Sequence, residues 1–188
     1  MLAFVNILDI YRQTGGYLEG HFLLASGRHA PVFLQSTTVM QYPQHTEAIG
    51  RALAAKLELD KTPDFVLGPA MGGVVLAYEV ARHLKTRALF AEKDGGGGMK
   101  LRDAFSVDRG ETFVAVEDVI TTGGSLRKAT KAALQAGATL LAGAVIIDRR
   151  SDDLRADWLL ASLLQLPLET YSPDTCPLCK AGIPLEDV

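Results

Sequence analysis

Val114-Ala-Val-Glu117-Asp118-Val-Ile-Thr121-Thr122-Gly123-Gly124-Ser125 decides how this chain is read. It opens as an unbroken apolar run, the composition of a strand covered on both faces. It turns to an acid pair and ends on hydroxyls and glycines, just ahead of a helical spacing from Ser125 to Ala136. Such a loop at a helix start presents successive backbone N–H groups to one phosphate, the helix dipole favours the charge, and glycine admits the close approach. Read alone, it is also an ordinary strand-to-helix turn. Two carboxylates beside a phosphate cradle need a further reason. A ribose supplies it: adjacent hydroxyls donate to carboxylates, whose charge would also stabilise an oxocarbenium-like sugar in a transition state. Neither the P-loop spacing nor Gly-x-Gly-x-x-Gly occurs here, which counts against a nucleotide hydrolase or a dinucleotide dehydrogenase.

Outward from this stretch the pattern repeats. Asp64 to Leu67 reads as a buried strand, Gly68 to Gly73 as a loop and Val74 to Leu84 as a helix; strands follow at Arg87 to Ala91, Phe113 to Val116 and Leu140 to Ile147. Short apolar strands alternating with helices give an α/β fold with a central, mostly parallel sheet flanked by helices. Ligands bind such sheets beyond the carboxyl ends of the strands. Both Gly-rich loops and Asp148-Arg149 follow strands, so they are expected at one rim.

Upstream, Leu2 to Gln13 has helical spacing and stops at Gly15-Gly16. Two apolar runs between Tyr17 and Gln35 flank a polar turn, Ala25 to Ala30, as a hairpin would, and Pro43 to Leu57 reads as a helix. Between Glu92 and Phe105, four glycines accompany Lys93, Lys100 and Arg102. Each glycine costs up to about 1 kcal/mol to order, so this segment is expected to be a mobile lid that closes on a polyanion.

The stretch from Val114 to Ser125 resembles the phosphoribosyl pyrophosphate signature of type I phosphoribosyltransferases. The resemblance implies that Thr121, Thr122, Gly123, Gly124 and Ser125 hold a 5'-phosphate and that Glu117 and Asp118 hold the ribose hydroxyls. Gly68-Pro-Ala70-Met71-Gly72-Gly73 resembles the diphosphate loop of that family. The hairpin through Ser26-Gly-Arg-His and Phe33 resembles the hood of orotate phosphoribosyltransferases, in which Ser26 and Phe33 would line the base pocket. There, the planar and always charged fork of Arg149 would meet the orotate carboxylate.

The implied protein is a single domain over residues 1–188, with a small N-terminal hood within 1–40 and a flexible loop at 92–105. It would convert orotate and phosphoribosyl pyrophosphate to orotidine 5'-monophosphate and diphosphate in pyrimidine biosynthesis, with Lys93, Lys100, Arg102 and Asp118 as catalytic groups. Mg²⁺ would be carried mainly by substrate and water, so no metal ligand is assigned to the protein. A homodimer whose lids reach the neighbouring sites is part of the same implication. Ala25 and Glu92 stand where better-known bacterial members carry Lys and Arg. The alternatives are transfer to a purine and a regulator that senses phosphoribosyl pyrophosphate without catalysis.

The totals fit this picture. The chain has 188 residues, 48% hydrophobic, enough for one domain with a core, and its formal net charge of −3 argues against a broad nucleic-acid footprint. The N-terminal residues lack the pattern of a signal peptide and no run reaches the roughly 20 apolar residues of a membrane span, so a cytoplasmic address is expected. The two cysteines, Cys176 and Cys179, form no disulfide framework, which suits a reducing compartment. As Cys-x-x-Cys they are half of a zinc site that only a symmetric dimer could complete as Cys₄, and the pair is read as structural or incidental.

Overall fold

The computed structural model describes residues 6–24, 26–151, 153, 155 and 160–188. In chain order the elements are α1 (Ile7–Gln13), β1 (Tyr17–Leu23), β2 (His29–Leu34), α2 (Ser36–Met40), α3 (Pro43–Lys56), β3 (Phe65–Pro69), α4 (Gly72–Leu84), β4 (Arg87–Lys93), β5 (Met99–Leu101), β6 (Thr112–Ile120), α5 (Gly124–Gln135), β7 (Thr139–Asp148), β8 (Ala161–Gln165), α6 (Pro177–Lys180) and β9 (Glu186–Asp187).

Six strands form the main sheet in the order β5-β4-β3-β6-β7-β8, parallel except for β5. Alternation along the strands explains their uninterrupted apolar composition. Phe65, Leu67, Phe113 and Ala115 pack with Leu126, Ala129 and Ala133 of α5 on one side. Their neighbours Val66, Val114, Val116 and Ile146 belong to the core on the other side, with Ile49 and Leu53 of α3 and Leu76 and Val80 of α4. Either face left open would expose a full row of apolar side chains, each worth about 1.5–3 kcal/mol when buried. No helix among the described residues is long and apolar enough to cross a membrane.

The second sheet, β2-β1-β9, is the hood: β1 and β2 pair antiparallel, and the two-residue β9 lies parallel to β1 at Phe22–Glu186 and Leu23–Asp187. Arg28 donates to the Thr170 hydroxyl and carbonyl, and Tyr171 bridges to His29, so the C-terminal segment wraps the hairpin. Of the helix expected over Leu2 to Gln13, α1 covers Ile7–Gln13, and Leu2 to Val5, like Ala25, lie outside the described residues.

The structure differs from or adds to the sequence reading in three places. Within residues 92–105, β4 continues to Lys93 and pairs antiparallel with β5, making a hairpin. The Asp94 carboxylate ties its turn by accepting from the N–H groups of Gly96 (2.8 Å) and Gly98 (3.0 Å), and Met99 and Leu101 pack on the second core. The glycines therefore serve a tight turn, with Gly95 and Gly97 at positive φ. Second, Glu117 and Asp118 lie inside β6, which runs on to Ile120, rather than in the loop after it. Third, the hood brings His21 and His29 of the same chain close to Cys176 and Cys179.

Candidate active site

The rim at the carboxyl ends of β3, β6 and β7 does assemble. Arg149 donates its N–H to Ile120 O at 2.8 Å, which binds the end of β7 to the end of β6. A Cβ added to Gly72 would stand 3.0 Å from an Asp118 oxygen, so the loop after β3 lies directly against the acid pair. Gly68 and Gly73 press backbone to backbone within that loop, where a Cβ on Gly68 would collide with the Gly73 carbonyl. The Ala70–Met71 peptide, in the loop that resembles the diphosphate loop, is cis. Met71 is 80% exposed, so its side chain holds no packing role that would explain the loop.

After β6, Gly123 takes φ +79° as the cap of α5, a left-handed conformation that favours glycine and turns the chain into the helix. Thr121, Thr122, Gly123, Gly124 and Ser125 line a cleft of about 220 Å³ together with Glu117 and Lys128. Sequence reading missed Lys128. The available signal was its spacing: three residues after Ser125 and four after Gly124, it returns to the face of α5 on which the loop lies.

The acid pair is asymmetric. Glu117 is only 9% exposed. Burial, the adjacent Asp118 charge and a partly offsetting N–H from Leu126 leave its carboxyl pushed up to about 8. Glu117 thus holds a proton through most of the neutral range, so the rim carries less negative charge than two carboxylates would suggest.

Asp148 and Arg150 are also buried, at 1% and 2% exposure, and form a fork: Arg150 Nε and Nη2 donate to the two carboxylate oxygens at 3.0 and 2.9 Å. Arg149 differs. Its Nε and Nη2 are buried with no hydrogen-bond partner among the described residues, and that burial lowers its pKa. An unmatched buried guanidinium is costly unless an anion meets it.

The other expected groups are less gathered. Lys100 pairs with Asp103 at 2.9 Å and Arg102 with Glu92 at 3.0 Å, so both are engaged on the hairpin itself. Lys93 lines a cleft of about 330 Å³ shared with Ser125 and Lys128, which brings the hairpin turn to the start of α5. Ser26 is exposed in the hood turn, and Phe33 leans on Phe22 with ring centroids 5.9 Å apart. Neither lines the cleft beside Thr121–Ser125.

Among known proteins, the model of the phosphoribosyl transferase domain matches residues 37–165. The orotate phosphoribosyltransferase of Thermus thermophilus is 50% identical over 184 residues, covering 98% of this chain and 100% of that protein. That of Deinococcus radiodurans is 50% identical over 190 residues, covering 97% and 98%. Among solved structures, orotate phosphoribosyltransferase from Aeropyrum pernix superposes with a TM-score of 0.70 at 24% identity, over 85% of this chain and 93% of the other. Adenine phosphoribosyltransferase from Leishmania tarentolae superposes at 0.61 with 15% identity, over 85% and 87%. At those identities the two superpositions speak to the fold alone.

Proposed function

The chain belongs to the phosphoribosyl transferase family, among its orotate phosphoribosyltransferases, and on that premise we propose that it joins orotate to phosphoribosyl pyrophosphate, giving orotidine 5'-monophosphate and diphosphate. Backbone N–H groups and hydroxyls of Thr121–Ser125 hold the 5'-phosphate, with Lys128 adding charge at its edge. Ala70, Met71 and Gly72 carry the diphosphate, against Asp118. Asp118 and Glu117 take the ribose hydroxyls. As the bond from the anomeric carbon to diphosphate breaks, the Asp118 charge stabilises the sugar before the orotate nitrogen closes on it. Lys93, Lys100 and Arg102 are read as the cations that neutralise the leaving group, the last two after exchanging Asp103 and Glu92 for it.

The observation that carries the choice of base is Arg149, a half-buried side chain with two buried, unmatched guanidinium nitrogens just past the end of β7, beside the sugar-phosphate rim. A carboxylate on the base is the planar acceptor that such a fork suits, and neither adenine nor uracil has one. Product formation with orotate, adenine, xanthine and uracil tests this: orotate is expected to exceed uracil by roughly 10⁴-fold. Turnover confined to a purine overturns the base, and tight phosphoribosyl pyrophosphate binding without turnover on any base overturns the catalysis.

Magnesium fits the rim as an ion borne by substrate. Asp118 offers a hard oxygen there, while the only cluster of three or more candidate ligand side chains among the described residues lies under the hood. When bound, magnesium would neutralise diphosphate charge; loss of activity on chelation and recovery with Mg²⁺ is expected. A homodimer is supported by the exposed stripe Met71, Val75 and Tyr78 along the start of α4. A single-chain mass in sedimentation equilibrium would remove that reading. Two cysteines that are not joined in a disulfide suit a cytoplasmic setting, which fractionation would test.

A further inference from the structure

His21 and His29 are polar side chains in the interior of the hood, at 1% and 5% exposure, on a hairpin with little core of its own. Cys176, fully buried, and Cys179, which reaches the surface, face them from either end of the first turn of α6. One ligand atom from each of the four residues lies within 4.8 Å of every other. The closest approaches are His21 Nε2 to His29 Nδ1 at 2.9 Å, Cys179 Sγ to His29 Nδ1 at 3.3 Å, Cys176 Sγ to His21 Nε2 at 3.5 Å and Cys179 Sγ to His21 Nε2 at 3.7 Å.

Hydrogen bonding does not account for this convergence. His21 Nδ1 lies 2.8 Å from the carbonyl of Ile183, which can only accept, so Nδ1 carries the proton and Nε2 of the neutral ring is left with one lone pair. Three atoms crowd that lone pair: a ring nitrogen and two sulfurs. One proton satisfies one of them. A cation at the centre satisfies all four, and the Ile183 carbonyl then plays the part that outer partners play in metal sites, fixing tautomer and ring orientation.

We propose that His21 Nε2, His29 Nδ1, Cys176 Sγ and Cys179 Sγ bind one zinc ion in a closed tetrahedral site that clasps the hood to the C-terminal segment. Zinc at about 2.0–2.1 Å from nitrogen and 2.3 Å from sulfur sets donor atoms about 3.3–3.8 Å apart. The sulfur–nitrogen distances already lie in that range, and the histidine pair needs to open by only about 0.4 Å to reach it. On binding, the two thiols release their protons to solvent as the zinc–sulfur bonds form. Two thiolates then cancel the charge of Zn²⁺, so the burial of three of the four ligands carries no net charge into the interior. An N₂S₂ donor set selects zinc over the hard, oxygen-seeking magnesium ion. The gain is mechanical: a three-stranded sheet whose third strand has two residues is marginal by itself, and small units of this kind are held by staples.

The test uses the full-length protein. Elemental analysis after purification without chelator is expected to give one zinc per chain. After stripping, titration with Co²⁺ is expected to saturate at one equivalent, with the intense visible bands of tetrahedral cobalt and thiolate-to-cobalt charge transfer, undisturbed by millimolar Mg²⁺ and displaced by Zn²⁺. Cys179→Ser, the variant at the exposed ligand, should weaken Zn²⁺ binding by at least about 100-fold, and the metal-free wild type should unfold at lower temperature than the loaded form. Weak octahedral cobalt spectra, binding that does not saturate, or a Cys176–Cys179 disulfide in protein kept under thiol reductant would overturn the site. These outcomes are independent of which base the enzyme uses.

Discussion

The rim at the strand ends and the cluster under the hood both gather polar groups about one point, by opposite routes. At the rim, Glu117 through Ser125 are consecutive, and the direction of their backbone is set by one strand end, one left-handed glycine and one helix start. Under the hood, the groups come from positions 21, 29, 176 and 179 and act through side chains alone. A contiguous site can change a side chain without losing its frame, so rim substitutions should register in catalysis. A site closed over most of the chain holds its frame through the cluster itself, so changes there should register in stability.

Glu117 is where this division breaks, and it gives the largest expected effect. Its folded pKa, about 8, lies above its ordinary value of 4.5. Between those values the folded protein holds a proton that the unfolded chain has released, so stability falls as pH rises through that window and levels above it. A displacement of this size corresponds to a loss of about 4–5 kcal/mol in total. Glu117→Gln keeps an acceptor for the Leu126 N–H and removes the titration. Urea midpoints measured from pH 5 to 8.5 should slope downward for wild type and lack that component in the variant; parallel profiles would show that Glu117 is not held neutral.

Next comes Asp118→Asn, which removes charge beside the sugar while leaving β6 intact. Turnover should fall by about 100-fold or more, the KM for phosphoribosyl pyrophosphate should move only a few-fold and thermal unfolding should shift little. A large KM rise with unchanged turnover would make Asp118 a binding group only. Arg149→Ala follows. A charged hydrogen bond to the base is worth roughly 1.5–3 kcal/mol, so the orotate KM should rise by about 10- to 100-fold while that for phosphoribosyl pyrophosphate stays put. Equal loss for both substrates would mean that Arg149 braces the β6–β7 edge.

The same contrast explains what was legible in the sequence. The parallel sheet, the rim loops and their meeting point could be read because each rests on neighbours in the chain: apolar runs, glycines and the acid pair. The hairpin β4–β5 was not legible because glycine marks a tight turn and a mobile loop alike, and the turn is built by Asp94 reaching back to Gly96 and Gly98. Strand β8 was missed because Ala161–Gln165 becomes a strand only by pairing with β7. The hood cluster was illegible for the strongest reason. Cysteine spacing announces two ligands, but nothing local to His21 or His29 says that β1 and β2 will turn both rings toward a helix at the far end of the chain.

The smallest expected effect concerns how sharply the rim is bounded along α5. Lys128 lines the cleft with Thr121–Ser125, while Lys131, one turn on, lines only the neighbouring cleft beside the Gly96–Gly98 turn. If the 5'-phosphate is held chiefly by backbone N–H groups and the start of the helix, one flexible ammonium at the edge adds little more than a surface charge does. Lys128→Ala should then raise the KM for phosphoribosyl pyrophosphate by about 3- to 10-fold, an effect that shrinks with added salt, and Lys131→Ala by less than about twofold. A loss at Lys128 as large as that at Asp118, insensitive to salt, would mean that the lysine is buried against the phosphate when substrate binds. The rim would then depend on a side chain as the hood cluster does, and the contrast between the two regions would narrow to one of sequence distance.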